Sequence, residues 1–527
     1  MTAHASRRNP PRDSPPRKRY LAPYWGRGAR AAPKAGRTLD AIADTDASAD
    51  LHAGRRSLRR DAINFLLSPE IAPGVVQAFE LAAVLVLGFV SLTVYGTLER
   101  PELSEARFLV FVFPLTYLYL CGWGGLSDLE SIMRPMRNID RSIVSYMTAA
   151  FIVLAFVFGL RSEYLFSNSW LQIWFAAGLA ATITIRLLAY WILTTLSRRK
   201  VMGRNTVILG YGEQAKHFAD SITRDTPFFM NFCGIYGVTP EDRQVEPALT
   251  AGGVDDLLRE ARRGAVDEVI VAMPWSANQQ VIDVIERLKE LPVNVYLGSE
   301  LIGFDLSLER LVGPFDRLSM FQVTRRPISG WRSVPKFLLD YTLAALGLLL
   351  LSPLLLAIAA AIKLDSPGPV FFMQKRLGFN NQLFYIFKFR SMYHREIPEE
   401  RVVQAQRGDP RVTRIGRFIR ATSIDELPQL LNVLNGTMSI VGPRPHAVSH
   451  NEEYGRRIRG YFARHNVKPG ITGWAQVRGF RGETTDIELM RKRIEHDVYY
   501  VENWSIFFDI KVIVMTCLVV LFQRTAY

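Results

Sequence analysis

Two adjacent carboxylates, Asp425 and Glu426, precede an apolar pattern with helical spacing over residues 427–434, and Asn435-Gly436 predict the end of that helix. Carboxylates at the start of a helix are stabilised by its free amides and its dipole, and the same field attracts phosphate. Ser423 and Glu426 also have the spacing of a capping box, which would explain them without any chemistry. The pair is therefore a candidate for phosphate chemistry, with helix capping as the alternative.

Cations that could bind a phosphate lie on both sides of this pair in the sequence. Arg444 stands between Pro443 and Pro445, whose fixed φ angles reduce the entropy that the loop loses when the guanidinium binds an oxyanion. Upstream, Lys388 and Arg390 alternate with aromatic residues, which puts both cations on one face of a predicted strand. A strand could present them to a diphosphate, but an ordinary strand with solvated cations fits the same pattern.

A loop rich in glycine and proline follows at residues 468–484. Loops of this composition commonly form the wall of a site. Trp474 offers an aromatic face to a base or a sugar ring, and packing within the loop accounts for it equally well.

The composition of the chain indicates a membrane protein. Hydrophobic residues make up 49% of the 527 residues, with a mean hydropathy of +0.07, although 22% of the residues are charged. Four apolar runs are each near the roughly 20 residues that a membrane span needs; they cover residues 75–95, 108–123, 143–160 and 171–196. The second run is the shortest. A soluble helical bundle is a poor alternative, because four such runs would leave little polar face.

The net charge of +14 is concentrated at the amino terminus, where residues 1–60 hold fourteen Lys or Arg against five Asp. This segment is rich in Pro, Ala and Gly, so we predict a disordered tail that suits an anionic membrane leaflet better than nucleic acid. Basic residues after the second and fourth runs place the tail and everything beyond residue 200 in the cytoplasm. The three cysteines have no paired spacing, which argues against disulfides and zinc.

Residues 201–302 have the alternating pattern of a small Rossmann-like α/β domain, with a strand that leads into Gly210-Tyr-Gly212 and a helix. The glycine pattern alone is a weak signal for a dinucleotide, and no clear acidic residue follows at the expected distance. We therefore favour a structural or regulatory role for this domain, such as self-association. Residues 303–332 are predicted to be a connector.

The fifth apolar run, residues 337–364, is long enough to cross a bilayer. Ser352-Pro353 lie in the middle of it, and a proline in a straight helix costs about 3 kcal/mol, which predicts a break. Basic residues flank both ends, so both ends prefer the cytoplasm. A re-entrant helix that bends at Ser352-Pro353 and returns to the same face fits these constraints, with a fifth span as the alternative. The apolar residues 510–522 are expected to lie at the membrane interface, with a membrane span as the alternative.

The Asp-Glu pair, Pro-Arg-Pro, Lys-Phe-Arg and Trp-Ala-Gln together make roughly the last 200 residues resemble the bacterial sugar transferases, specifically the monotopic phosphoglycosyl transferases. The domain order before them looks like the family's large form. The resemblance implies a two-step exchange, and Asp425 is the chosen nucleophile because an ionised carboxylate needs no prior deprotonation. Glu426 would hold Mg²⁺ directly or through water. Phosphate or substrate would bind at Arg444, Lys388, Arg390, Gln476 and Trp474.

The resemblance also implies the substrates. Glucose-1-phosphate would pass from UDP-glucose to undecaprenyl phosphate through an aspartyl-phosphosugar intermediate, as the first membrane step of exopolysaccharide or capsule synthesis. Residues 478–484 look more like members that transfer glucose than like members that transfer galactose, and only this segment favours UDP-glucose over UDP-galactose or another UDP-hexose. The expected partners are the UDP-sugar, undecaprenyl phosphate, membrane lipids and a second copy of the chain, with no nucleic acid.

The expected fold class is a membrane protein of α plus α/β type in the bacterial inner membrane, with its catalytic domain on the cytoplasmic face. The predicted parts are a basic tail (1–72), a four-helix transmembrane bundle (73–200), the Rossmann-like domain (201–302), the connector (303–332) and a mainly α monotopic catalytic domain (333–527) anchored by the re-entrant helix (337–364). A nucleotide-sugar dehydratase or epimerase would need Tyr-x-x-x-Lys, which is absent from the sequence. A non-catalytic scaffold for polysaccharide assembly would tolerate loss of Asp425, so the complete set of carboxylates and cations counts against it.

Overall fold

The apolar runs form helices in the computed structural model, which describes residues 68, 70–96, 107–159, 169–199, 203–224, 230–238, 250–273, 278–298, 320–394, 409–480 and 487–522. Four helices in this part of the chain are long and apolar enough to cross a membrane: Ala72–Val94, Pro135–Phe156, Trp170–Arg198 and Gly330–Asp365. The second predicted run forms a shorter apolar helix, Arg107–Trp123. Nearly all of the predicted basic tail, and residues 481–484 of the segment that favoured glucose, lie outside the described residues.

The amino-terminal helices pack around an aromatic core. They are α1 (Ala72–Ser91), which continues into a π-helical turn (Leu92–Gly96), α2 (Arg107–Trp123), α3 (Leu129–Met133), α4 (Pro135–Gly159) and α5 (Ser169–Arg198). The ring of Phe113 makes edge contacts with Tyr146 and Trp174 at centroid distances of 5.0 and 5.2 Å. A buried ion pair of 2.7 Å joins Glu80 of α1 to Arg186 of α5. Since a charge among apolar helices is costly without a partner, this pair ties α1 and α5 together.

A six-stranded, mostly parallel sheet follows. Its elements are β1 (Arg204–Gly210), α6 (Gly212–Arg224), β2 (Met230–Gly237), β3 (Thr250–Gly253), α7 (Val254–Arg262), β4 (Glu268–Ala272), α8 (Asn278–Leu288), β5 (Asn294–Gly298) and β6 (Met320–Thr324). The strand order is β3-β2-β1-β4-β5-β6, and β6 alone is antiparallel to its neighbour. The prediction of an α/β domain is confirmed. Its boundary at residue 302 was wrong, because the edge strand β6 comes from the segment that we expected to be a connector.

Both glycines of the predicted turn have a structural role. A Cβ on Gly210 would lie 1.9 Å from the carbonyl oxygen of Ala272 in the neighbouring strand. Gly212, the first residue of α6, has a φ of +73°, which favours glycine. Strand packing and the turn therefore account for the motif without a bound nucleotide.

The carboxyl-terminal region is mainly helical with two small sheets. Its elements are α9 (Ser333–Asp365), β7 (Phe371–Leu377), a 3₁₀ turn (Phe379–Asn381), β8 (Leu383–Phe389), α10 (Arg414–Ala421), a 3₁₀ turn (Ile424–Glu426), α11 (Gln429–Leu434), β9 (Ser439–Val441), α12 (Val448–Arg457), a 3₁₀ helix (Tyr461–Asn466), β10 (Gly470–Thr472), α13 (Trp474–Val477), α14 (Ile487–Glu502) and α15 (Ile506–Phe522). β7 and β8 form an antiparallel hairpin, and β9 and β10 pair in parallel.

The predicted re-entrant segment is one helix, α9, with Pro353 inside it. In a straight helix the carbonyl of Leu349 would accept from the N–H of residue 353, which proline lacks. The hydroxyl of Ser352 donates to that carbonyl at 2.8 Å instead. The interruption that we expected at Ser352-Pro353 is therefore absent, because the serine hydroxyl supplies the donor that proline removes. A bend of the helix axis at this point stays a prediction.

Both ends of α9 pack on the same carboxyl-terminal domain. Near its start, Asp340 accepts hydrogen bonds from the Ser439 hydroxyl and the Ile440 N–H, both at 3.0 Å. At its end, Asp365 accepts from the Ile415 N–H at 3.2 Å. Residues 345–357, between the two packed ends, include no buried residue. Half-buried residues such as Leu348 and Leu355 still pack against the domain, so the middle of this apolar helix contacts it on one side and is exposed on the other.

Candidate active site

The carboxylate pair lies in the 3₁₀ turn between α10 and α11. Ser423, just before this turn, has a φ of +57°, a conformation that is uncommon for a residue other than glycine and recurs at functional sites. The pair precedes α11, as predicted, although that helix begins at Gln429 and not at residue 427, where the apolar pattern starts. Gly436 ends the helical segment with a φ of +73°, as predicted.

Glu426 is bound by two cations. Lys388 Nζ donates to its Oε1 at 2.8 Å, and Arg444 donates to Oε1 at 2.6 Å and to Oε2 at 3.2 Å. Burial opposes ionisation, but the charges of Arg444 and Lys388 outweigh it and hold the pKa of Glu426 well below its usual range. The capping-box alternative is wrong, since Ser423 makes no side-chain cap and both Glu426 oxygens are bound elsewhere.

Asp425, beside it, is half-buried and makes no hydrogen bond or ion pair with any residue that the structure describes. Burial raises the pKa of its carboxyl, while the nearby charge of Lys388 acts in the opposite direction. Its oxygens are therefore open to a ligand, whereas those of Glu426 are engaged.

Two further arginines contribute charge to the site. Arg376 of β7 lies near Arg444 and Glu426, and burial followed by the charge of Arg444 lowers its pKa to about 10. Arg420, at the end of α10, acts on Asp425. Together with Lys388 and Arg444, they place four cations around two carboxylates among the described residues. This surplus of two positive charges matches a diphosphate. Sequence analysis did not assign Arg376 or Arg420 to the site.

Asn432 of α11 fixes the turn against the strand that carries Lys388. Its Oδ1 accepts from the Phe387 N–H at 2.9 Å, and its Nδ2 donates to the Tyr385 carbonyl at 2.7 Å. The side chain thereby completes two hydrogen bonds along the free edge of β8 and sets the distance between Lys388 and Glu426. The only signal for it in the sequence was a polar residue inside an apolar helix.

Arg390 is not part of the site. It is buried and donates to the carbonyl oxygens of Pro367 at 2.6 Å, Ser366 at 2.7 Å and Ile362 at 3.3 Å, beyond and within the last turn of α9. Cations are favourable there because carbonyl groups at the end of a helix lack partners. Our expectation that it joins Lys388 in phosphate binding was wrong, because Arg390 follows the last residue of β8 and lies against the end of α9, whereas Lys388 binds Glu426.

Arg464, which sequence reasoning missed, supports the Pro-Arg-Pro loop from behind. Its guanidinium donates to the backbone carbonyl of Arg444 at 2.5 Å and pairs with Asp497 at 2.8 Å. His446, two residues beyond Arg444, contacts the hydroxyl of Tyr461 at 2.8 Å. The loop thus rests on a buried polar network, which fixes the direction in which the Arg444 side chain leaves the backbone.

The 3₁₀ helix that carries Arg464 also touches the α/β domain. Asn466 Nδ2 donates to the carbonyl of Lys289 at 2.9 Å, and the Gly460 N–H donates to Glu290 at 3.1 Å. Asn380, in the 3₁₀ turn after β7, donates to the carbonyl of Ala261 at 3.0 Å. The support of the Pro-Arg-Pro loop is therefore anchored on two domains.

Trp474 lies at the same edge of the small sheet as Arg444. The Gly442 N–H donates to Thr472 at 2.9 Å, and because the two strands are parallel their following loops leave together. The Trp474 ring meets the edge of Phe508 at 5.1 Å, and the side chains of Arg478 and Lys511 lie over it. A base or sugar that stacked on this ring would compete with these cations.

Gln476 is buried in the same short helix, α13. Its Nε2 donates to the Ile471 carbonyl at 3.4 Å, and its Oε1 has no hydrogen-bond partner among the described residues. A buried oxygen of this kind usually has a partner, so a ligand hydroxyl or a water would satisfy it.

The two carboxylates fit Mg²⁺ shared with a substrate. No group of three or more His, Cys, Asp or Glu side chains in the described part of the chain could hold a metal by itself. Mg²⁺ at phosphate sites typically takes one or two carboxylates and fills its other positions with water and phosphate oxygens. Asp425 and Glu426 supply that number, with Asp425 open and Glu426 held by cations.

Comparison with known proteins identifies the family. A family described as bacterial sugar transferase matches residues 331–523, and a CoA-binding domain matches residues 128–298. A UDP-glucose:undecaprenyl-phosphate glucose-1-phosphate transferase from Xanthomonas campestris pv. campestris is 36% identical over 470 residues, which cover 86% of this chain and 94% of that protein. The chain belongs to the bacterial sugar transferase family.

Other relatives of this sugar transferase carry similar names. A protein of the same name from Escherichia coli (strain K12) is 44% identical over 277 residues, covering 53% of this chain and 59% of the relative. An undecaprenyl-phosphate glucose phosphotransferase from Komagataeibacter xylinus is 40% identical over 361 residues, covering 67% and 66%. The resemblance that the motifs indicated is confirmed.

Proposed function

We propose that this sugar transferase transfers glucose-1-phosphate from UDP-glucose to undecaprenyl phosphate, giving undecaprenyl-diphosphate glucose and UMP. The observation that carries the proposal is the unpartnered carboxylate of Asp425 beside Glu426, inside a surplus of cations that matches a diphosphate. The relatives named for this reaction support the choice of donor and acceptor. The product would be the first lipid-linked intermediate of an exopolysaccharide or a capsule.

The reaction takes two displacements at one phosphorus. An oxygen of Asp425 attacks the β-phosphorus of UDP-glucose, the bond to the bridging oxygen breaks, and UMP leaves with that electron pair. A phosphate oxygen of undecaprenyl phosphate then attacks the same phosphorus and expels the carboxylate of Asp425. The second step regenerates the free aspartate and forms the new diphosphate bond, so atoms and charges balance over the cycle.

Arg444 and Lys388 exchange partners in this scheme. Both bind Glu426 in the structure, and both are long, partly exposed side chains whose charge-assisted bonds can pass to phosphate oxygens. The support of Arg464 under the Arg444 backbone keeps the guanidinium near Glu426 during the exchange. As Arg444 and Lys388 turn to the substrate, the Glu426 oxygens become available.

Glu426, with Asp425 beside it, would hold Mg²⁺, which supplies charge neutralisation over the phosphate oxygens when it is bound. The fit of the two carboxylates supports this assignment. Glu426 keeps its negative charge at neutral pH, since its pKa is held well below the usual range.

The chain is proposed to be a multi-pass protein of the bacterial inner membrane, with the active site on the cytoplasmic face. α1, α2, α4 and α5 would span, and α9 would enter and leave on one side. The contacts of both ends of α9 with one domain support this re-entrant placement, as does the absence of buried residues over 345–357. An interfacial position for α15 follows from its exposed apolar face. Self-association as a homodimer stays a prediction.

The proposal is tested by UMP release in membranes that contain the full chain, polyprenyl phosphate and Mg²⁺. We expect Asp425→Asn to lower the rate at least about a thousandfold, as is common when a catalytic nucleophile is removed. Asp255→Asn, at an exposed aspartate of α7, is the matched control and should leave the rate unchanged. UDP-glucose labelled at its β-phosphate should label the wild type without acceptor, and leave Asp425→Asn unlabelled.

A rate that survives in Asp425→Asn would contradict the covalent exchange. A wild type that releases no UMP from any common UDP-sugar would favour the scaffold alternative. The rate of UMP release is measured side by side with UDP-glucose and with UDP-galactose. The donor with the higher rate identifies the sugar, because the family assignment alone leaves that choice open.

A further inference from the structure

Two cations share one aromatic ring at the edge of the site. The Arg478 guanidinium lies 5.3 Å from the Trp474 ring centroid, and the Lys511 ammonium lies 5.4 Å from it. The two charges are therefore at most about 11 Å apart. Both side chains are exposed, and neither pairs with a carboxylate among the described residues. Two like charges gathered on one ring without a counter-ion form a site that favours an anion.

Lys511 lies on the apolar face of α15. Phe507, Ile510, Val514 and Leu518 form an exposed stripe at helical spacing, and Lys511 falls within it. The opposite face is held to the small sheet, where Thr516 and Thr472 share a hydrogen bond of 2.7 Å. If the stripe contacts the membrane, the Lys511 stem lies along it and the ammonium reaches the level of the lipid phosphates.

The cation pair is also continuous with the proposed catalytic site. Trp474 follows β10, Arg444 follows β9, and the Gly470 N–H donates to the Pro443 carbonyl at 3.0 Å between the two loops. A Cβ on Gly473 would lie 2.3 Å from the Gly442 carbonyl oxygen, so the two loop backbones are in direct contact. A ligand at the cation pair would therefore lie next to the loop that carries Arg444.

We propose that Arg478 and Lys511, arranged around Trp474, bind the phosphate of a membrane lipid and that this lipid is the acceptor of the proposed reaction. The inference rests on the proposed function, since it names the site where the acceptor phosphate binds while the donor occupies the Glu426 site. Bulk anionic phospholipid carries the same chemistry and is the competing occupant. The cations at Glu426 serve the donor, and the pair on Trp474 serves the acceptor.

The test compares the double variant Arg478→Gln/Lys511→Gln with the wild type in nanodiscs of purely zwitterionic phospholipid. Its matched control is Lys363→Gln/Lys492→Gln, which removes two exposed lysines elsewhere. The rate of UMP release is measured against the concentration of undecaprenyl phosphate and, separately, of UDP-glucose. We expect the KM for undecaprenyl phosphate to rise about tenfold or more in the double variant, with the KM for UDP-glucose within about twofold of the wild type.

A second arm repeats the measurement in nanodiscs that contain anionic phospholipid. An unchanged acceptor KM in both lipids would overturn the proposal. A defect that appears only with anionic phospholipid would also overturn it and assign the pair to bulk lipid. A single-turnover burst of UMP without acceptor distinguishes failure of the proposed function from failure of this inference. Absence of the burst in the wild type contradicts the proposed function. A normal burst together with an unchanged acceptor KM in the double variant contradicts this inference alone.

Discussion

Glu426 and Asp509 each accept a hydrogen bond from a lysine, but their surroundings differ. Asp509 is completely buried and accepts from Lys336 at 2.7 Å, the Tyr500 hydroxyl at 2.7 Å and the Trp504 indole at 3.2 Å. The Glu426 side chain is 13% exposed and, among the described residues, accepts from the partly exposed cations Lys388 and Arg444. We name these groups the Asp509 cluster and the Glu426 cluster.

The two clusters differ in the sign of their net charge, and this difference gives them different roles. In the Asp509 cluster a single lysine serves two buried carboxylates, since Lys336 also lies 3.5 Å from Asp340. That cluster has no capacity for an anion, and it connects the start of α9 to α14, α15 and β9. In the Glu426 cluster the cations outnumber the carboxylates, so an incoming diphosphate completes the charge balance. Similar residue types thus give a fixed joint in one place and a candidate binding site in the other.

The largest effect is expected when the Asp509 cluster loses its cation. Lys336→Met would leave Asp509 and Asp340 buried without a counter-ion, which typically costs about 3–5 kcal/mol of folding stability. We expect a marked fall in the thermal unfolding temperature of the detergent-solubilised chain. The UMP-release rate per folded molecule should stay near that of the wild type, because this cluster does not touch the proposed substrate.

Lys363→Met is the control for that experiment, since it changes an exposed lysine near the other end of α9. Equal unfolding temperatures for the two variants would show that the buried pair contributes no more than a surface lysine. Such a result would mean that the Asp509 cluster does not stabilise the fold, which is the role that distinguishes it from the Glu426 cluster.

An intermediate effect is expected in the Glu426 cluster. Arg444→Lys keeps the charge but cannot form the two-pronged contact that Arg444 makes with Glu426, and by inference with phosphate. Loss of one charge-assisted hydrogen bond is worth about 1.5–3 kcal/mol, or roughly 10–100-fold in kcat/KM for the UDP-sugar. The thermal unfolding temperature should change little. A large loss of stability with normal kinetics would mean that Arg444 is structural, as Arg390 is.

The sequence predicted the elements whose signal is local. Apolar runs gave the long helices, alternation of strands and helices gave the α/β sheet, and Asn435-Gly436 gave the end of α11. It also brought Lys388, Glu426 and Arg444 to one site, because each belongs to a family motif. Asp425 lies beside them, as its adjacency to Glu426 requires.

The incorrect or missing predictions concern which residues contact each side chain in the folded chain. A period of two places Lys388 and Arg390 on one face of the predicted strand, but it does not predict that β8 ends at Phe389 or that the end of α9 lies against Arg390. Arg376 and Arg464 reach the site through contacts between segments far apart in the sequence, which no local pattern contains. β6 was missed because a five-residue strand at a sheet edge has a weak alternation signal.

The smallest expected effect is a pH-dependent change in stability at His465, in the 3₁₀ helix that supports the Arg444 loop. Burial, followed by the charge of Arg464, lowers the pKa of His465 to about 3. An unfolded chain binds this proton near pH 6.5 and the folded chain does not, so stability is complete above pH 6.5 and is lost as the pH falls. Between pH 7 and pH 5 the loss is about 2 kcal/mol at most, from 1.36 kcal/mol per pKa unit.

His465→Asn should therefore flatten the dependence of thermal unfolding on pH between 7 and 5, although its unfolding temperature at pH 7 is lower because a buried packing residue has changed. His217→Asn, at an exposed histidine of α6, should keep the full dependence of the wild type. The Asp509 cluster contains no histidine, so acid should weaken the support of Arg444 in this range without a comparable effect on the joint at Asp509. An unchanged pH slope in His465→Asn would mean that the acid sensitivity of the chain arises elsewhere.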